Sequence, residues 1–203
     1  LVKKNHVYFD NMEHDACGVG LVASTKGEKS RKVVEYGIKA LKAVWHRGAI
    51  DADGKTGDGA GIHLEIPIDF FIEKIENYGR KHDGGIICAG MIFLPRNDYI
   101  SQEKCKTIIE TELLRSNFKI YRWRQVPINT KVLGDKAERT RPEITQILFS
   151  AKDKSLYGKI LEIKLYETRR KIEKECLKNN LKDFYICSFS SKSIIYKGMF
   201  LAE

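Results

Sequence analysis

"FYICSFSSKSIIYKGMF", residues 184–200, decides how this chain is read as a fold. Two apolar runs flank a serine-rich break at Ser191 to Ser193, and each has the length and the Ile, Tyr and Phe content of a strand. Two strands that close on each other across a short turn are antiparallel. Upstream, strand patterns alternate loosely with helical ones, which alone would suit a parallel sheet with helical crossovers. The terminal hairpin argues against that arrangement. The expected class is α+β, a sandwich of sheets flanked by helices.

Working outward, "EITQILFSA" (143–151) reads as a strand, and "SLYGKILEIKLYETRRKIEKECLKN" (155–179) as the longest helix. Before them come a strand "FKIYRWRQVPI" (118–128), a helix "SQEKCKTIIETELLRSN" (101–117) and a buried strand "GGIICAGMIFLP" (84–95). Residues 129–142 read as a connection carrying a short helical stretch. Nearer the start, "AGIHLEIP" (60–67) alternates as a strand that Pro67 closes, and "IDFFIEKIENYG" (68–79) is a helix ending at Gly79. Apolar residues at 33, 34, 38, 41, 44 and 45 give a helix with Ser30 as cap and Gly48 as its stop. "GVGLVAS" (18–24) is a short apolar run bounded by glycines and reads as a buried strand.

The 203 residues suit one domain with a substantial core. A net charge of +9 raises nucleic acid as a partner. The basic residues, however, mix with glutamates along helical segments such as "ETRRKIEKECLKNN", as on a solvated helix face, and no nucleic-acid motif accompanies them. No apolar run is long enough to span a membrane. The first sixteen residues, "LVKKNHVYFDNMEHDA", lack the apolar core of an export signal. The expectation is a cytoplasmic protein that binds neither nucleic acid nor membrane.

Residues 46–61, "HRGAIDADGKTGDGAG", carry Gly-Lys-Thr but fail the phosphate-loop pattern, because Ala49 stands where its first glycine is needed. A calcium loop fails at Lys55 and Thr56, and a dinucleotide fingerprint fails at Ile62. So dense a run of glycines leading into a strand points to close backbone approach, as to another strand.

Five cysteines (17, 88, 105, 176 and 187) form no C-x-x-C pair, which suits a reducing compartment better than a disulfide framework. The five histidines are not paired with them, so no metal site is expected. Cys88, Cys105, Cys176 and Cys187 fall in strand or helix patterns as small hydrophobes. Cys17 stands apart, at the mouth of an apolar run, between a polar lead and Gly18-Val19-Gly20. It is either a buried thiol or a nucleophile that uses its own α-amine as base. The amine titrates near ~7.7–8.0 and a thiol near ~8.5, so the proton transfer is feasible at neutral pH. An amide nitrogen is no base, so that chemistry requires cleavage before Cys17.

These residues resemble a family. "CGVG", "LKAVWHRGA", "DGKTGDGAGIHLEIPIDFF", "YRWRQVPINTKVLG", "RTRPEITQILF" and the terminal segment are similar to the glutamine amidotransferase domain of glutamate synthase large subunits. That domain is a class II amidotransferase and an N-terminal-nucleophile hydrolase. The likeness runs from Cys17 onward, so the resemblance divides the chain into a propeptide, residues 1–16, and the N-terminal part of the amidotransferase domain, residues 17–203. It implies a four-layer αββα sandwich, present here in part. It also implies Cys17 as the nucleophile, with its freed α-amine as base, and Arg47 as the residue that packs beside the nucleophile and orients the mature N-terminus. A cation closing a helix is the simpler role for Arg47, and both can hold together.

The implied substrate is glutamine, whose side-chain amide supplies ammonia for glutamate synthesis from 2-oxoglutarate. The implied partners are the remaining glutamate synthase domains and a small electron-supplying subunit. FMN and an iron–sulfur cluster belong to the full-length enzyme, with no cofactor in this segment. In the family, a carboxylate-gripping Arg, an oxyanion Asn-Gly pair and a substrate-binding Asp follow the terminal strands. No Asn-Gly dipeptide occurs in these 203 residues. The alternative is therefore a non-catalytic remnant or fragment, and the 203 residues alone are expected to be inactive.

Overall fold

The computed structural model describes residues 18–44 and 48–201. In chain order these form α1 (Arg31–Ala43), β1 (Ala60–Glu65), α2 (Ile68–Glu76), β2 (Cys88–Leu94), α3 (Tyr99–Arg115), β3 (Phe118–Gln125), a 3₁₀ turn (Thr130–Val132), α4 (Asp135–Thr140), β4 (Glu143–Ala151), α5 (Gly158–Lys178), β5 (Tyr185–Ser190) and β6 (Ser193–Gly198). Ser30 caps α1 as expected, its hydroxyl accepting from the Lys32 amide at 3.1 Å. α1 ends on Val44 rather than at Gly48. Gly79 terminates α2 with φ +79°, a conformation that costs glycine little.

The strands make two sheets, one of four strands in the order β3-β4-β2-β5 and one of two, β1-β6, and every strand pair is antiparallel. β2 and β4 lie in the middle of the larger sheet and are apolar on both sides, as their sequences require. One face carries Cys88, Ile92, Leu94, Ile147 and Phe149 against Ile109, Leu113, Leu161, Leu165 and Ile172 of α3 and α5. The other carries Ala89, Met91 and Leu148 against Ile194 of β6 and against Phe71 and Ile75 of α2. Gly90 sits where no side chain fits, since a Cβ there would stand 2.8 Å from both Ile147 Cγ2 and Phe189 Cδ2. α1 adjoins the small sheet on its β1 side, with Gly37 next to Ile62. The order is helices, sheet, sheet, helix, the αββα sandwich expected from the family.

Two sequence readings are corrected. The terminal segment is two strands joined by a turn, but not a hairpin: β5 pairs with β2 in the large sheet, while β6 pairs with β1 in the small one. The turn is a crossing between sheets, and α5 holds it. Glu162 accepts from Ser190 Oγ (2.9 Å), the Ser191 amide (2.8 Å) and Ser191 Oγ (2.6 Å). A β-bulge at Cys187 and Ser188 turns both toward the small sheet, where Ser188 Oγ accepts from the Ile195 amide at 3.2 Å. Glu162→Ala is expected to cost about 1–3 kcal/mol, because three donors lose a charged acceptor. Urea unfolding measures it, and an unchanged midpoint would mean that the crossing holds without Glu162.

The second correction concerns Gly18–Ser24. This run is not a strand. Its apolar pattern is right, but a strand also needs a neighbour to pair with, and none of the described strands pairs with it. Val19 and Leu21 are each 91% exposed, so the run is not buried either.

Candidate active site

Cys17 and Arg47 lie outside the described residues, as do residues 1–16. What the structure places are the segments that flank them. A Cβ on Gly20 would stand 3.9 Å from Ala40 Cβ, so the chain leaving Cys17 runs beside the second half of α1. Lys29, just before α1, pairs with Glu65 at the far end of β1 at 2.7 Å. The helix therefore runs back along the strand, and its C-terminal end lies toward the start of β1. The loop that leaves Arg47 begins there, at Gly48.

That loop is rigidly tied. Ile50 bridges Gly57, the Asp51 amide donates to the Thr56 carbonyl at 2.8 Å, and the Ala49 amide donates to Asp58 Oδ2 at 3.0 Å. Its glycines allow the close approach read from the sequence, and the partner is β6 with the residues after it. A Cβ at Gly57 would stand 2.9 Å from the Phe200 carbonyl oxygen, and one at Gly61 would stand 2.9 Å from that of Tyr196.

Sequence reasoning missed the other side of the loop. Thr56 is 2% exposed within an otherwise solvated turn. Its hydroxyl donates to Asp53 Oδ2 at 2.5 Å and accepts from the Ala137 amide of α4 at 3.4 Å. Asp53 Oδ1 accepts from the amides of Lys55 (2.9 Å) and Thr56 (2.7 Å). The Thr56 hydroxyl and amides hold the Asp53 carboxyl far below the usual carboxylate range. Lys136 of α4 pairs with Asp51 at 2.7 Å, and an open cleft of about 340 Å³ separates loop from helix. The one local signal was an aspartate three residues before a threonine, the mark of a side-chain-stabilised turn.

The four described cysteines are buried and free. Burial pushes the Cys88 and Cys187 thiols up. Cys176 is pushed up by its hydrogen bond with Cys105 and by burial. That same hydrogen bond with Cys176 lowers the Cys105 thiol, but all four sulfurs sit on buried core residues, out of reach of a substrate, so these cysteines are packing residues, as read. Among the described residues no group of three or more His, Cys, Asp or Glu could hold a metal ion. The buried cysteines therefore do not fit an iron–sulfur ligand set. No described helix is long and apolar enough to cross a membrane.

Comparison with known proteins matches residues 17–203 to the family model for glutamine amidotransferases class-II. The large chain of an NADPH glutamate synthase from Azospirillum brasilense is 52% identical over 198 residues, covering 98% of this chain and 13% of the relative. A ferredoxin-dependent glutamate synthase from Cyanidium caldarium is 40% identical, over 93% of this chain and 12% of the relative. The NADPH glutamate synthase large chain of Bacillus subtilis is 33% identical, over 99% and 13%. The chain thus spans about an eighth of the length of these relatives. With that match over residues 17–203, on an αββα sandwich of antiparallel sheets, the chain belongs to the class II glutamine amidotransferases.

Proposed function

We propose that this chain is the glutamine-hydrolysing part of a glutamate synthase, with Cys17 as nucleophile. The observation that carries the reading is that the family match begins at residue 17, the cysteine itself. Residues 1–16 are then a propeptide, and residues 17–203 are the N-terminal part of the amidotransferase domain. Removing the propeptide turns the Cys17 amide into an α-amine able to take the thiol proton. The Cys17 sulfur attacks the side-chain amide carbon of glutamine. The C–N bond breaks, the leaving nitrogen takes the proton held by the α-amine, and ammonia departs from a glutamyl thioester. Water hydrolyses the thioester to glutamate and restores the thiol. Arg47 packs beside the nucleophile and orients the mature N-terminus.

The ammonia would be used elsewhere in the longer protein, to make glutamate from 2-oxoglutarate. FMN and an iron–sulfur cluster would supply redox chemistry in those other regions, reduced through a small electron-supplying subunit, in the cytoplasm. The similarity to NADPH- and ferredoxin-dependent glutamate synthases supports this placement. Ammonia release from L-glutamine by the longer protein, compared with its Cys17→Ser variant, tests the proposal.

A further inference from the structure

The loop that follows Arg47 could be held to the body of the protein by its two ends alone. Instead it is fixed in the middle. Thr56 turns inward and is the buried point at which loop and α4 share hydrogen bonds, hydroxyl to Asp53 and Ala137 amide to hydroxyl, beside the solvent-facing Lys136–Asp51 pair. Gly134, the residue before α4, is pressed against this point so closely that a Cβ there would stand 2.2 Å from Asp53 Oδ2 and 2.3 Å from Thr56 Oγ1. On the opposite side the loop meets the Phe200 backbone through Gly57. The segment is therefore clamped between α4 and the end of β6, with the clamp centred on one buried hydroxyl.

We propose that Thr56 is a positioning residue of the amidotransferase site, setting against α4 the loop that follows Arg47. This rests on the reading of Cys17 and Arg47 given above. Asp53 is the weaker anchor because it is exposed: its carboxylate bonds within its own turn and to Thr56, and beyond the turn it meets the Lys136 backbone of α4. Thr56 reaches the amide of another element. Without the hydroxyl the turn keeps its backbone bonds and the solvent-facing Lys136–Asp51 pair, but loses the buried hydrogen bond that registers it against α4. Small displacements of a reacting group matter far more to the transition state than to ground-state binding of substrate. Turnover should therefore suffer, and affinity should not.

The test uses the longer, glutamine-hydrolysing protein. Thr56→Val is close in shape and lacks the hydroxyl. It is expected to lower kcat roughly 10- to 100-fold with KM for glutamine within about threefold. Thr56→Ser should restore kcat to within about threefold of wild type, because the hydroxyl returns. Asp53→Ala, at an exposed position, keeps the test alive if Thr56→Val fails to fold, and should lower kcat in the same way. Wild-type kcat in folded Thr56→Val or in Asp53→Ala would overturn the inference. So would a loss that Thr56→Ser does not repair, or a rise in KM that accounts for the whole defect. If Cys17→Ser is inactive while Thr56→Val is unaffected, only the role of Thr56 fails. If Cys17→Ser keeps full activity, the underlying reading fails and takes this inference with it.

Discussion

Cys17→Ser is expected to lower ammonia release from glutamine by roughly 10³-fold or more in the longer protein, the scale on which loss of a covalent nucleophile acts. Serine keeps an oxygen of similar size in the same place, so substrate binding should change little. What changes is acidity. An α-amine near ~7.7–8.0 is well matched to a thiol near ~8.5, but not to an alcohol, which is far harder to deprotonate. The remaining cysteines cannot stand in for Cys17. Cys88, Cys105 and Cys176 are at most 1% exposed and Cys187 is 5% exposed, all packed in the core. The measurement is ammonia release at saturating glutamine, with KM followed in parallel. An undiminished rate in the variant would remove Cys17 from the chemistry.

Phe149→Ala should be the most damaging single change to the fold. Phe149 is fully buried on the central strand β4. Its ring meets Phe118 edge-on at 5.4 Å and lies 4.9 Å from Phe189, so it ties β3, β4 and β5 beneath α3 and α5. Truncating such a residue costs about 3–5 kcal/mol, through lost transfer energy and the cavity left behind. Against a typical total of about 5–15 kcal/mol, that is a large fraction. For a domain of this size it should lower the melting temperature by roughly 6–20 °C. Phe70→Ala supplies the comparison: it is the same residue type, 37% exposed on α2, and should cost well under half as much. Urea unfolding of the two variants checks it. Equal destabilisation would mean that the sheet–helix core is not where the stability lies.

Much of this architecture was legible in the residues because the deciding physics is local. "EITQILFSA" is a strand over the span its pattern suggests, Ser30 caps the helix it precedes, and Gly79 stops α2. The failures share one cause. Whether Gly18–Ser24 forms a strand, and whether β5 and β6 pair with each other, depends on which partners arrive from elsewhere in the chain. A period-two apolar pattern says that a segment suits a sheet, not which sheet. The Glu162 clamp that turns the presumed hairpin into a crossing comes from 28 residues away. The same holds for the candidate site. Glycine density announced a close approach, but Thr56 meets its partner at Ala137 across 81 residues, which no local pattern records. Cys17 and Arg47 were singled out from motif context, and they lie outside the described residues.

The most direct test of the central claim, that Cys17 acts through its own α-amine, is the mass of the N-terminus in an active preparation. Intact-mass measurement or N-terminal sequencing of longer protein that releases ammonia from glutamine should find Cys17 as the first residue, with Leu1–Ala16 removed. Activity should also track the cleaved fraction. Full activity in a chain that still carries residues 1–16 would contradict the claim, because the nitrogen of Cys17 would then be an amide and could not serve as base.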